Sequence, residues 1–280
     1  MAAVNRTPEW IEREYGRDKW PALGALIEEV SASEGPNPTL GRVLARVTAQ
    51  DFIAGRDPLA TVEVPICGSL VRTSIAAMMG GIEAVVTNTL DRWCDPDTDV
   101  VVELGSGWSR SLLAFATTLG PRHARYFGAE YTDAGRDCAD RLAALDPSIA
   151  FTSLAFDYNS PDLSTIRGDC ALAFTVHSLE QIPEVTPALI DEIRAIAARV
   201  TCVHFEPVGW QLGESAFTSR AYAEHHDYNR NLWVLLTDEQ RDGRLTIDHT
   251  TVDICGINPA NASSVIAWSA VSFDPGRERP

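Results

Sequence analysis

The sequence is short of basic residues and has no closely paired cysteines. It contains 23 lysine and arginine residues against 39 aspartate and glutamate residues, and its formal net charge at pH 7 is −16. A charge of this sign repels nucleic-acid phosphates and anionic membranes, so the composition argues against both as partners. The 6 cysteines are scattered singly, without a Cys-x-x-Cys pair. This spacing argues against a structural zinc site and favours reduced thiols in a cytoplasmic protein.

Long hydrophobic runs are absent as well. No run of about 18 apolar residues occurs, so we expect no transmembrane helix. The first residues, Met1–Arg6, lack the apolar core of a signal peptide. We therefore expect a cytoplasmic chain without a membrane partner. Its 280 residues, of which 45% are hydrophobic, fit one domain of roughly 200 residues with an extension.

A strand, a glycine-containing loop and a helix follow one another near the middle of the chain. Val100, Val101 and Val102 are β-branched and apolar, which is typical of a buried parallel strand. Gly105 and Gly107 come next, and apolar residues then recur at helical spacing. A glycine turn before a helix lets the backbone approach a ligand closely, although many glycine turns serve packing alone.

An acidic residue, Glu130, ends the next predicted strand, at residues 125–129, about 20 residues beyond the glycine loop. A carboxylate at this place accepts hydrogen bonds from ribose hydroxyls, and a solvated acid at a strand end is the alternative interpretation. The fingerprint of nicotinamide-binding folds needs a third small residue, and this chain has Arg110 there. The pattern therefore argues against a nicotinamide oxidoreductase, which stays as the alternative enzyme class.

The stretch from Glu103 through Gly105 and Gly107 resembles motif I of the class I S-adenosylmethionine-dependent methyltransferases, with Ser109 in place of the last glycine. The resemblance implies that the acid and the glycine backbone hold the methionine part of the cofactor, S-adenosyl-L-methionine. The residues that we expect to bind the cofactor are Glu103, Gly105, Ser106, Gly107, Glu130, Tyr131, Asp157, Tyr158 and His177. For Asp157 a helix N-cap is an equally good interpretation.

From residue 99 onward, predicted strands and helices alternate, which is typical of an α/β fold with a parallel sheet. A closing hairpin is predicted over residues 245–254 and 264–272. With the resemblance, this order implies a seven-stranded Rossmann-like sheet with helices on both faces. We divide the chain into an N-terminal helical extension (1–95), a catalytic domain (96–273) and a loose tail (274–280). The extension either covers the cofactor as a lid or caps one sheet edge. Helices are expected over residues 68–91 and 221–236.

Two strand ends carry the candidate catalytic side chains. His177 follows the fourth strand and Glu206 follows the fifth, which is its neighbour in such a fold. His177 is either a general base, because its ordinary pKa is about 6.5, or a binder of cofactor or substrate. A metal held by His177, His204 and Glu206 is the other alternative. His204 should lie about 7 Å further back than Glu206, since a strand rises about 3.3 Å per residue, so we expect no metal.

The sequence therefore predicts an enzyme that transfers a methyl group from S-adenosyl-L-methionine to the oxygen or nitrogen of a small-molecule acceptor. The alternatives are an NAD(P)-dependent oxidoreductase, a peptide methyltransferase and a non-catalytic cofactor-binding partner subunit. The acceptor and the oligomeric state stay open, and a homodimer is compatible with the sequence.

Overall fold

The computed structural model describes residues 6–213 and 215–271, and the end of the last predicted strand and the tail over residues 274–280 lie outside them. This part of the chain forms one mixed nine-stranded sheet with helices on both faces. No helix in it is long and apolar enough to cross a membrane. The strands are β1 (Thr61–Ile66), β2 (Ser69–Ser74), β3 (Val100–Leu104), β4 (Arg125–Glu130), β5 (Ala150–Ala155), β6 (Gly168–Val176), β7 (Ala197–Glu206), β8 (Thr246–Cys255) and β9 (Ser263–Val271).

Helices connect and cover these strands. A π-helix (Glu12–Lys19) and two short 3₁₀ turns (Leu179–Gln181 and Pro259–Asn261) accompany ten α-helices in the described residues. The α-helices are α1 (Pro8–Ile11), α2 (Trp20–Ser33), α3 (Leu40–Ile53), α4 (Ile75–Trp93), α5 (Arg110–Thr118), α6 (Asp133–Ala143), α7 (Pro187–Ala195), α8 (Gly209–Leu212), α9 (Arg220–His225) and α10 (Leu232–Arg241).

The sheet order is β2-β1-β8-β9-β7-β6-β3-β4-β5. Strands β3 to β7 pair in parallel, and β9 is antiparallel and lies between β7 and β8. These seven strands have the arrangement that the class I methyltransferase resemblance implies, so the expected fold is confirmed. The expected number of strands is wrong, because the described residues form nine. The extra hairpin β1–β2 joins the sheet edge through Ile66, which pairs with Cys255.

The prediction of a helix over residues 68–91 is wrong in its first part. Cys67 and Gly68 both take positive φ, 48° and 74°, which is the backbone of a tight hairpin turn, so residues 69–74 return as strand β2. The helix α4 begins only at Ile75, where the Ser74 hydroxyl accepts the N–H of Ala77 and caps it.

The predicted helix over residues 221–236 is two helices, α9 and α10. Asp227 has a φ of 54° between them, which ends regular helix geometry. Asn229 is buried there, and its side-chain oxygen accepts the N–H groups of Asn231 (3.2 Å) and Leu232 (2.9 Å). This amide starts α10 with a new cap, because helix N–H groups need a partner at the first turn.

The core lies on both faces of the sheet, as the apolar strand β3 predicts. Val101 packs on one face with the N-terminal helices α2 and α3, while Val100 and Val102 pack on the other face with α7 and α10. Successive side chains of a strand point to opposite faces, and here all three are fully buried. The rigid centre of the sheet therefore fixes the loops at the carboxyl ends of β3, β4, β5 and β6.

Candidate functional site

A cavity of about 610 Å³ opens at the carboxyl ends of these parallel strands. This is the place where open α/β sheets bind ligands, and the volume falls within the range of small-molecule sites. The structure brings together all the residues expected to bind the cofactor as parts of its wall: Glu103, Gly105, Ser106, Gly107, Glu130, Tyr131, Asp157, Tyr158 and His177.

The glycine loop forms one side of the cavity. Gly105 and Gly107 have φ values of 64° and 53°, and a Cβ on Gly105 would lie 2.5 Å from the Cβ of Ser178. Ser109 has a φ of 56°, so it takes the left-handed conformation that favours glycine. Its hydroxyl donates to the Ser106 hydroxyl at 3.1 Å. The serine therefore stands in for a glycine at this position and keeps the loop in a glycine-type conformation.

Glu103 lies at the end of β3 beneath the glycine loop. It is 4% exposed, and its Oε2 accepts the N–H of Leu112 at 3.1 Å. Burial raises the pKa of Glu103 to about 8, although the Leu112 hydrogen bond and the charge of Arg110 act in the opposite direction. A ligand cation beside this carboxylate would restore its negative charge at neutral pH.

Glu130 links the loop to the next strand and helix. Its Oε2 accepts the N–H of Gly107 at 2.9 Å, and its Oε1 accepts the N–H and the hydroxyl of Thr132 at 3.0 and 2.7 Å. A carboxylate oxygen has two lone pairs, so Oε1 is fully used by Thr132 whereas Oε2 retains capacity for one ligand donor. Glu130 therefore holds the loop in shape and lines the cavity as well.

The loop after β5 closes another side. The Oδ1 of Asp157 accepts the N–H and the side-chain amide of Asn159, at 2.8 and 3.0 Å, so this carboxylate shapes its own turn. The hydroxyl of Tyr158 lies 2.8 Å from that of Ser178, and burial raises the pKa of Tyr158. Tyr131 lies at the rim and is 38% exposed.

His177 follows β6 with a φ of 50°, which is strained for a residue with a side chain. Its Nδ1 lies 2.9 Å from Glu180 Oε2, and its Nε2 contacts the hydroxyl of Ser263. Burial lowers the pKa of His177, but the charge of Glu180 and its hydrogen bond outweigh burial, so the pKa is raised. Glu180, which the sequence did not single out, is thus the partner of His177 in the cavity wall.

Glu206, the second candidate catalytic residue, lies behind the wall. It is fully buried, its Oε1 accepts the N–H groups of Ser178 and Leu179, and its Oε2 accepts that of Glu180, all at 3.1 Å. Burial, followed by the charge of Glu180, raises the pKa of Glu206 to about 7. Glu206 therefore anchors the 3₁₀ turn that carries Glu180.

His204 is fully buried and is not among the residues that line the cavity. Its Nε2 accepts the indole N–H of Trp268 at 3.0 Å, and its Nδ1 lies 3.0 Å from the Thr175 hydroxyl. Burial lowers the pKa of His204 to about 3, so the ring is neutral at physiological pH. These partners place His204 in the sheet core.

The N-terminal segment supplies part of the wall, through residues that the sequence analysis did not name. A Cβ on Gly107 would lie 2.9 Å from the Trp20 ring, so the segment packs directly on the glycine loop. The Arg6 guanidinium lies 4.7 Å from the ring centroids of both Trp10 and Tyr228, and its Nε donates to the carbonyl of His226 at 2.8 Å. Arg6 thus ties the segment to the loop after α9.

Comparisons with known proteins were made by sequence and by structure. No protein-family model and no curated protein matches the sequence. Solved structures do match this chain. One is the plantazolicin methyltransferase BpumL in complex with SAH, which is 12% identical to this chain with a TM-score of 0.47. The match covers 92% of this chain and 99% of BpumL. A geranyl diphosphate methyltransferase with GPP and sinefungin has 16% identity and a TM-score of 0.47, over 88% and 99%. The magnesium protoporphyrin IX methyltransferase of Synechocystis PCC 6803, with SAH, has 15% identity and a TM-score of 0.46, over 71% and 86%.

Proposed function

We propose that the protein transfers a methyl group from S-adenosyl-L-methionine to a small-molecule acceptor. The observation that carries this proposal is the convergence of Glu103, the glycine loop and Glu130 on one cavity at the carboxyl end of the sheet. The cavity is large enough for a cofactor of this size together with a small acceptor.

The residues present fit this cofactor by charge. Glu103, Glu130, Asp157 and Glu180 line the strand-end part of the cavity, and the cofactor carries a sulfonium and an ammonium group. Glu103 is suited to the ammonium group. Its carboxylate is buried and its pKa is raised, and a bound cation would stabilise its charged form. Glu130 would accept from the ribose hydroxyls and Asp157 from the adenine amino group. The cofactor supplies a methyl group on a positively charged sulfur, which an acceptor lone pair attacks in line while the sulfur keeps the bonding electrons.

His177 is the proposed proton acceptor, and Glu180 holds its ring through Nδ1. Its Nε2 would take the acceptor proton once the acceptor replaces the Ser263 hydroxyl. Glu206 acts as a positioning residue, because its carboxylate fixes the backbone of the turn that carries Glu180. The wall also excludes water and aligns the two reactants.

Titration calorimetry tests the cofactor. S-adenosylhomocysteine, the demethylated cofactor, should bind in the micromolar range, and NAD should not bind. Glu130→Gln should weaken that binding by about tenfold, because one acceptor oxygen facing the ribose is replaced by an amide. Glu63→Gln, an exposed position on β1, is the matched control. Tight NAD binding, or unchanged affinity in Glu130→Gln, would contradict the proposal.

A further inference from the structure

The cavity wall is divided by charge. Its strand-end part carries four acids. The N-terminal segment, the turn after α3 and the start of α5 contribute one acid, Asp51, and four cations, of which Arg6 is already engaged by the loop after α9 and the others are Lys19, Arg56 and Arg110. Arg110 lies at the boundary, because its charge acts on both Glu103 and His177. The acidic part suits the sulfonium and ammonium groups of the proposed cofactor. The basic part carries more positive charge than the single carboxylate of the cofactor balances, which leaves room for an anionic group of a second molecule.

Lys19 and Arg56 have no carboxylate partner among the described residues, and Arg110 acts on Glu103 by its charge without forming an ion pair with it there. The Arg56 guanidinium donates to the main-chain carbonyls of Phe52 and Ile53, and the Lys19 ammonium group lies over aromatic rings. Arg110 makes no hydrogen bond or ion pair within that part of the chain. The chain has 39 acidic residues against 23 basic ones, so carboxylates are plentiful and a cation without an ion pair is unexpected. An anionic ligand is the partner that they lack.

Aromatic and hydrogen-bonding groups lie between these cations. Tyr15 and Trp20 have ring centroids 5.5 Å apart, and Phe52 lines the cavity as well. Burial raises the pKa of Tyr15 to about 12, so its hydroxyl stays a neutral donor. Thr48 Oγ1 and Trp20 Nε1 are buried without a hydrogen-bond partner in the described residues. The wall thus combines flat apolar faces, spare polar groups and positive charge.

We infer that the acceptor is a small, flat molecule with an anionic group, a carboxylate or a phosphate, which Arg110 binds with help from Lys19 and Arg56. This inference rests on the proposed function and names the substrate class of the same site. The anionic group sits against the basic wall and the apolar body against the rings, so the acceptor enters in one orientation. That orientation directs its nucleophilic atom toward His177, which lines the same cavity as Arg110.

Binding of matched probes tests the inference. Benzoate, its neutral isostere benzamide, and phenyl phosphate are titrated into the protein saturated with S-adenosylhomocysteine and followed by saturation-transfer NMR. At least one anion should bind about tenfold more tightly than benzamide, and the better anion tells carboxylate from phosphate. Arg110→Gln and Arg56→Gln should each remove most of this preference and leave benzamide unchanged. Arg72→Gln, on the exposed strand β2 outside the cavity, is the matched control and should behave as the unaltered protein.

Three results would overturn the inference. They are equal binding of benzamide and both anions, no anion binding at millimolar concentration, and loss of S-adenosylhomocysteine affinity in Arg110→Gln with anion binding intact. The last result would assign Arg110 to the carboxylate of the cofactor. If the proposed function is wrong, S-adenosylhomocysteine does not bind. The probes can then be titrated into the unliganded protein, where anion binding still tests the basic part of the cavity wall.

Discussion

At the scale of single residues, Ser109 shows how a substitution in a motif is accommodated. It holds a φ of 56° and is fully buried. In this conformation glycine is favoured over alanine, although alanine usually gives the more stable protein. We therefore expect Ser109→Gly to be more stable than Ser109→Ala by about 1 kcal/mol, since both variants lose the same hydroxyl. Urea denaturation of the two variants checks this, and a more stable alanine variant would mean that the loop takes another conformation in solution.

Glu103 links ligand binding to pH. Its pKa is raised from 4.5 to about 8 by folding, so the folded state binds the extra proton more tightly than the unfolded state does. The free energy of unfolding should therefore fall as pH rises from about 4.5 to about 8. In the Glu103→Gln variant the free energy of unfolding should fall less steeply over the same range. The ammonium group of S-adenosylhomocysteine favours the charged carboxylate, so binding at pH 7 should release a proton. Calorimetry in buffers of different ionisation enthalpy measures the release, and the same release in Glu103→Gln would assign it to another group.

The His177–Glu180 pair makes a prediction that needs no acceptor. Glu180 raises the pKa of the imidazole against the effect of burial. Glu180→Gln should therefore bring the pKa of His177 below that in the unaltered protein, as followed by NMR titration of the ring. Once an acceptor is known, His177→Ala should lower the rate by about 10²-fold, the usual size of a general-base contribution. Glu224→Gln, on the exposed face of α9, is the control, and an unchanged His177 titration in Glu180→Gln would remove Glu180 from this role.

At the scale of elements, one side chain of the cavity wall, Arg6, ties the N-terminal segment to the loop after α9. Arg6 contacts the rings of Trp10 and Tyr228 and reaches Gln181 and His226 across the opening. We expect these contacts to hold the segment over the bound ligand, so Arg6→Ala should speed dissociation of S-adenosylhomocysteine several-fold. Stopped-flow measurement of the tryptophan fluorescence follows it, since Trp20 lines the cavity. Arg17→Ala, exposed on the π-helix, should leave the rate unchanged, and equal rates for both variants would show that Arg6 does not hold the segment closed.

The elements also show how far the sequence predicts this structure. Local composition identifies the strand through Val100–Val102, the loop through its glycines and the next strand end through Glu130. The glycines and Glu130 meet at one cavity. The hairpin at Cys67 and Gly68 was missed, because a cysteine at positive φ is not among the usual turn residues. Trp20 and Arg110 were not assigned to the cavity for a different reason. Their place depends on how the N-terminal helices pack on the sheet, which no local pattern records.

At the scale of the whole molecule, charge should decide which large partners the protein avoids. The formal net charge of −16 makes the surface repel phosphate backbones. The cations Lys19, Arg56 and Arg110 lie around a cavity whose volume suits small molecules. Nucleic-acid binding needs basic residues spread along a surface, because affinity comes mainly from the release of counterions. We therefore expect no shift of RNA or DNA in a gel at physiological salt, with or without S-adenosylhomocysteine. A basic RNA-binding protein run alongside is the positive control. A retarded band whose intensity falls steeply as salt rises would reveal a phosphate-binding surface and would replace the small-molecule acceptor with a nucleic acid.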